Sequence, residues 1–139
     1  MIRATIGDNG KKLWLEMQGH ADGGEYGHDL ICAAATMMAY TMAQVVSFMD
    51  AGKELEEAPV MCIRSGEALI SFVPKDHARG AMAQYVVRAG LECLAKNYPS
   101  HVAVYTVGNG EARAYKTEDS PPLAADMDSP DLSGRGGKP

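Results

Sequence analysis

The chain has 139 residues, enough for one domain with a single core, and its apolar (46%) and charged (22%) fractions are those of an ordinary globular protein. A formal net charge of −5 with scattered basic residues argues against a nucleic-acid partner, because phosphate neutralisation needs a clustered excess of Lys and Arg. The opening Met1-Ile2-Arg3-Ala4-Thr5 lacks the charged-then-apolar pattern of a signal peptide, and Cys32, Cys62 and Cys93 read as free thiols in a reducing cytoplasm.

Ile2, Ala4 and Ile6, then Leu13, Leu15 and Met17, alternate with polar residues on either side of Gly7-Asp8-Asn9-Gly10, which predicts a β-hairpin. A loop over 19–28 follows, where Gly19, Gly23, Gly24 and Gly27 lower the cost of unusual backbone angles. Asp29 is a favoured N-cap and opens a predicted helix to about Asp50, ended by Gly52. Apolar residues wrap most of this helix, as expected of a central buried element or one shared with a second subunit. Thr36, Thr41, Gln44 and Ser47 interrupt it, which suits a buried helix better than a membrane span. Asp29, Cys32, Thr36, Tyr40, Gln44 and Ser47 recur at helical spacing and share a face, so Cys32 heads a polar seam.

Residues 60–63 and 68–73 form a second predicted hairpin around Arg64-Ser65-Gly66-Glu67. Pro74 ends it, and Asp76 caps a second helix to about Asn97. The expected core face of that helix is Ala78, Ala81, Met82, Tyr85, Val86, Ala89 and Cys93. Tyr98-Pro99 stops it, and 101–107 reads as a possible final strand. From Gly108 the chain is rich in Pro, Gly, Ser and Asp, so 108–139 is expected to be a disordered tail after a domain of 1–107. The order ββαββα with a possible final strand predicts an α+β, two-layer sandwich: an antiparallel or mixed sheet with two helices on one face.

The stretch 19–36 carries the chemistry. It sets His20 at a strand end and Cys32 in the first turn of a helix, where unpartnered amides carry partial positive charge and favour a thiolate over a thiol. A nearby imidazole can take the thiol proton, and free amides at the same helix start could hold the oxyanion of an acyl-transfer intermediate. Plainer readings stand beside this one. A Cys in an apolar helix is commonly a small core residue, and His20 could be a loop histidine without a role. Asp29 is an N-cap in either case. Thr36 lies one turn beyond Cys32 and can hydrogen-bond near the site or back to its own helix. Cys62 and Cys93 read as core residues, and His77 and His101 sit at element ends with no further signal.

Gly19-His20, then Gly27-His28-Asp29-Leu30-Ile31-Cys32-Ala33 with Thr36 beyond, resembles the signature of the ribosomal-processing cysteine protease family, Prp. That signature is Gly-His, a short glycine-containing loop, Gly-x-Asp-x-(Val/Ile)-Cys-Ala and a hydroxyl residue four after the cysteine. The family usually has Ser where this chain has Thr36. The likeness covers about residues 1–107. It implies a cytoplasmic, homodimeric protease acting on a peptide, with no cofactor, metal or membrane partner. Cys32 would be the nucleophile and His20 the general base, supported by Asp29, Thr36 and Gly27. Ala21, Asp22, Gly23, Gly24, Glu25 and Tyr26 would form a loop over the substrate.

The reaction the resemblance implies is removal of the N-terminal extension of ribosomal protein twenty-seven of the large subunit during ribosome maturation. Its alternatives are a phage-type protease trimming capsid or scaffold proteins, and a non-catalytic dimeric protein assisting ribosome assembly. A metal module of His20, His28 and Cys32 lacks a fourth ligand and matches no common zinc spacing, and a thiol–disulfide oxidoreductase lacks a second Cys near Cys32.

Overall fold

In the computed structural model the described residues are 1–21, 29–108 and 110–119. The alternating pattern at the start of the chain becomes β1 (Ile2–Asp8) and β2 (Leu13–Gln18), paired antiparallel with Ile6 opposite Leu15 and Ala4 opposite Met17. All four of those side chains are buried, so one face of the hairpin is core. The tight connection is held by side chains. Asp8 Oδ1 accepts from Gly10 N at 2.8 Å, and Asn9 Oδ1 accepts from Lys12 N at 2.7 Å. The second hairpin, β3 (Val60–Arg64) and β4 (Glu67–Phe72), docks through β4 antiparallel to β2. After the second helix, β5 (Val102–Gly108) returns parallel to β1, with Ile2 opposite Val102. The result is the expected α+β arrangement: a mixed six-stranded sheet in the order β3-β4-β2-β1-β5-β6.

The sheet continues past the point where polar composition begins. β6 (Glu111–Ala114) pairs antiparallel with β5, Tyr105 opposite Ala114, although all four of its residues are exposed. Tyr115 N donates to Val104 O at 2.8 Å, and a 3-10 turn occupies Thr117–Asp119. The tail expected from 108 therefore starts inside a strand, because backbone pairing at a sheet edge needs no apolar side chains. Residues 120–139 lie outside the described residues.

Two helices cover one face. α1 (Leu30–Ala51) contains neither Gly nor Pro and buries Ala35, Ala39, Met42, Val46 and Met49. Its end differs in detail from expectation. Gly52 has an ordinary φ of −79°, and the left-handed residue is Lys53, at φ 57°. α1 is the one described helix long and apolar enough to cross a membrane by length and composition, and here it forms half of the helical layer. α2 (His77–Asn97) lies beside it, close enough that a side chain at Gly90 would overlap the Met38 sulfur.

The face that α2 turns to the core is not the expected one. Gly80, Gln84, Val87, Leu91 and Ala95 are buried, whereas Met82, Tyr85, Val86, Ala89 and Cys93 are exposed. The physical reason lies in two residues that apolar periodicity discounts. At Gly80 an added Cβ would come within 2.6 Å of the Pro74 ring, so only a glycine allows this approach. The amide of Gln84 reaches between two strands and donates to Gly7 O at 2.7 Å and Trp14 O at 3.1 Å. A buried polar group with its hydrogen bonds made is tolerated in a core. Cys93 is thereby corrected from core residue to surface residue, and Cys62 is half-buried.

Candidate active site

β2 is flanked by β1 and β4, and its last residues deliver the chain to the head of α1. Gly19 makes the exit. It has φ +95°, and an added Cβ would lie 2.2 Å from Met1 O, so both conformation and space require glycine. Gly19 N donates to Gly66 O at 2.9 Å, which ties this exit to the turn between β3 and β4. The next two residues diverge. His20 is exposed, its ring resting over Gly66, where an added Cβ would be 2.9 Å from Nε2. Ala21 turns inward and is 1% exposed.

The head of α1 is organised by Asp29. Its Oδ1 accepts from Ile31 N at 2.8 Å and Cys32 N at 3.3 Å, while Asp29 O accepts from Ala33 N at 3.0 Å. This is the expected N-cap, and it alters one expectation. The Ile31 and Cys32 amides are occupied by the carboxylate, so they are not free donors for an oxyanion. What the helix start still supplies beside the sulfur is the positive end of its dipole. Cys32 is half-buried and packs against the core, and its Sγ accepts a hydrogen bond from Ala21 N at 3.2 Å.

Between these elements lies a cavity of about 480 Å³. His20 and Cys32 both line it, together with Asp29 and Thr36 from α1 and the turn residues Arg64 to Glu67. The polar seam read along α1 is thus partly a cavity wall. Asp29, Cys32, Thr36 and Tyr40 line it, whereas Gln44 and Ser47 lie farther along the helix and do not. Gly27 and the expected substrate loop from Asp22 to Tyr26 lie outside the described residues, and of that loop only Ala21 is placed. The metal reading needed His28, also outside them. Among the described residues no group of three His, Cys, Asp or Glu side chains is arranged to hold a metal ion.

Three contributors escaped the sequence reading. Gly66 gives the His20 ring its resting place, at φ +75°. Arg64 puts a cation on the cavity rim; the Cys62 side chain, and after it the Glu67 carboxylate, push its guanidinium above the ordinary value. His101 Nδ1 bonds to Ala21 O at 2.5 Å across a sequence separation of 80 residues, so no local pattern could announce it. His77, the other histidine read as uninformative, bonds Asp8 Oδ1 at 2.8 Å, far along β1 from the cavity.

A family model described as cysteine protease Prp matches residues 1–103. Among curated proteins, the ribosomal processing cysteine protease Prp of Staphylococcus aureus (strain Mu50) is 50% identical over 39 residues, 28% of this chain. The match spans only 37% of that relative's length. Among solved structures, the S. aureus Prp complex with a covalently linked product peptide superposes with TM-score 0.64 at 24% identity, covering 77% of this chain and all (100%) of that one. The S. aureus complex with a substrate peptide gives 0.60 at 22% identity, with the same coverage. At such identities these superpositions establish a shared fold.

Proposed function

The chain belongs to the cysteine protease Prp family, and from that premise we propose that it is a cysteine endopeptidase in which Cys32 is the nucleophile and His20 the general base. The observation that carries this reading is a shared cavity that Cys32 at the head of α1 and His20 just after β2 both line. His20 takes the proton of Cys32 Sγ, and the thiolate attacks the peptide carbonyl carbon. The tetrahedral intermediate collapses as imidazolium returns the proton to the leaving amine. Water, deprotonated by His20, then attacks the thioester carbon, releasing the acyl product and the restored thiol. The dipole of α1 favours negative charge on both sulfur and oxyanion.

As substrate we propose the N-terminal extension of large-subunit ribosomal protein twenty-seven, cleaved in the cytoplasm during ribosome maturation. The bound substrate and product peptides of the S. aureus relatives support a peptide in this cavity. Its lining suits one: Ile2, Met17, Ala35, Ala39 and Ile63 offer apolar contacts, and Arg64 and Glu67 supply charge at the rim. Thr36 is exposed on the wall and offers its hydroxyl to a peptide. A homodimer is supported by the apolar side chains that the helical layer exposes. These are Met37 (58%) and Phe48 (66%) on α1 and Met82 (62%), Tyr85 (61%) and Val86 (62%) on α2.

The test is incubation with the extended ribosomal protein from the same genome, read by mass spectrometry. A single cut that removes the extension, absent with Cys32→Ala protein, is the expected result. Cleavage by a folded Cys32→Ala protein ends the proposal.

A further inference from the structure

The thiol's hydrogen bond comes from a residue that is itself held from elsewhere. Ala21 is fixed on three sides. Its side chain is 1% exposed, its N–H donates to Cys32 Sγ at 3.2 Å, and its carbonyl is bound by His101 Nδ1 at 2.5 Å. A carbonyl oxygen only accepts, so in that last bond His101 Nδ1 is the donor. The histidine is anchored in turn. His101 N donates to Tyr98 O at 2.9 Å, and its carbonyl accepts from Ile2 N at 2.8 Å, where β5 begins its parallel pairing with β1.

We infer that His101 is a positioning residue for the nucleophile: it clamps the Ala21 carbonyl so that the Ala21 N–H stays aimed at Cys32 Sγ. The inference rests on the reading of Cys32 as nucleophile and adds to it a residue outside the family-like motif. Its physical basis is that a hydrogen bond to a charged acceptor is about twice as strong as one to a neutral acceptor. An amide held 3.2 Å from sulfur is therefore a stronger hydrogen-bond partner once the sulfur carries charge during attack. Without the clamp, the Ala21 peptide loses the hydrogen bond at its carbonyl and is left to its buried side chain and its own N–H bond to the sulfur. His20 precedes Ala21 directly, so the same clamp limits the backbone that carries the imidazole.

Other titratable groups line the same cavity as Cys32: Asp29 at the cap of α1, Tyr40 on α1, His20 after β2, Arg64 at the end of β3 and Glu67 at the start of β4. None of these side chains is itself substituted by a change at His101, which reaches the site through the Ala21 peptide and the backbone of His20 beside it. The experiment is site-resolved alkylation of the full chain with iodoacetamide from pH 6 to 9, read by mass spectrometry, with Cys62 as internal reference. His101→Leu keeps bulk and removes the donor; His101→Asn keeps an N–H near the place of Nδ1.

The expected result is that His101→Leu slows Cys32 labelling at pH 6 by about tenfold relative to Cys62, the scale of one weakened charge-assisted hydrogen bond. His101→Asn restores the wild-type rate, and both variants melt cooperatively. Leu protein whose Cys32 labels as fast as wild type overturns the inference, as does a folded Asn protein as slow as Leu. Should the Leu variant fail to fold, His101→Ala takes its place: slow Cys32 labelling in a folded Ala protein supports the clamp and a wild-type rate overturns it. A wild-type Cys32 no faster than Cys62 at pH 6 defeats the nucleophile reading itself, and the clamp with it. A fast Cys32 indifferent to His101 defeats only the clamp.

Discussion

Among the described residues the same unit is built twice, and the candidate site belongs to the first copy. β1-β2-α1 and β3-β4-α2 are each a hairpin followed by a helix of similar length, 22 and 21 residues, capped by an aspartate. Asp29 accepts from the amides of Ile31 and Cys32; Asp76 accepts from that of Arg79 at 3.2 Å. Cys32 and Arg79 both sit in the third position of their helices. The difference lies in the connection. Between β4 and α2 there are only residues 73–76, whereas between β2 and α1 the chain runs from 19 to 29. At the start of the longer link Ala21 N donates to Cys32 Sγ, His20 lies against Gly66, and a cavity lies between. Even a His–Asp pair, His77 with Asp8, stands by the second helix start, with no cysteine among those groups. A capped helix and a histidine are therefore common to both units, and what sets the first apart is a cysteine in the third helix position, bonded by Ala21 N and lining the same cavity as His20.

The sharpest way to break this comparison is to exchange the third helix position. Cys32→Ala should lower cleavage of the extended ribosomal protein by on the order of a million-fold, and His20→Ala by about a hundred- to ten-thousand-fold. Both proteins should keep the wild-type melting curve. An Arg79→Ala enzyme should cleave at the wild-type rate. Equal loss from Arg79→Ala and Cys32→Ala would show that the two units are not functionally distinct.

The link itself is tested next. Gly19→Ala must accommodate both φ +95° and a Cβ 2.2 Å from the Met1 carbonyl oxygen, which is backbone and cannot swing aside. A loss of about 1–3 kcal/mol in urea unfolding is expected. Gly66→Ala meets the movable His20 ring instead, so it should cost less stability and more activity. A Gly19→Ala protein as stable as wild type would remove the requirement for a left-handed exit.

The two caps come third. Asp29→Ala and Asp76→Ala should each cost about 1 kcal/mol, measured by thermal or chemical melts. Only Asp29→Ala should also lower cleavage, since Cys32 N is among its partners. Unchanged activity would reduce Asp29 to a purely structural cap. The smallest expected effect is at the surface. The Arg79–Glu54 pair, 2.6 Å apart with side chains 65% and 35% exposed, should contribute less than about 1 kcal/mol. Arg79→Ala should melt within a degree or two of wild type.

Much of the architecture was legible. Alternation placed Ile2, Ala4 and Ile6 opposite a core, Asp29 and Asp76 announced both helix starts, and Arg64-Ser65-Gly66-Glu67 announced the second turn. The failures share a cause. α2 was turned to the wrong face because Gly80 and Gln84 score as non-core until Pro74 and the Gly7 and Trp14 carbonyls are known to meet them. β6 was missed because its pairing with β5 rests on backbone bonds and not on apolar side chains.

The same division runs through the site. Spacing alone put a cysteine in the first turn of a capped helix and a histidine after a strand, because helix and strand periodicities are local and each residue type carries its own chemistry. Only the folded sheet decided that His20 would lie against the β3–β4 turn and that His101 would reach Ala21, whereas the Asp29 cap on Ile31 and Cys32 is local and was legible. The first two contacts join residues far apart in the chain. Hydrogen-bond partners are chosen by distances of a few tenths of an ångström, which sequence order does not encode.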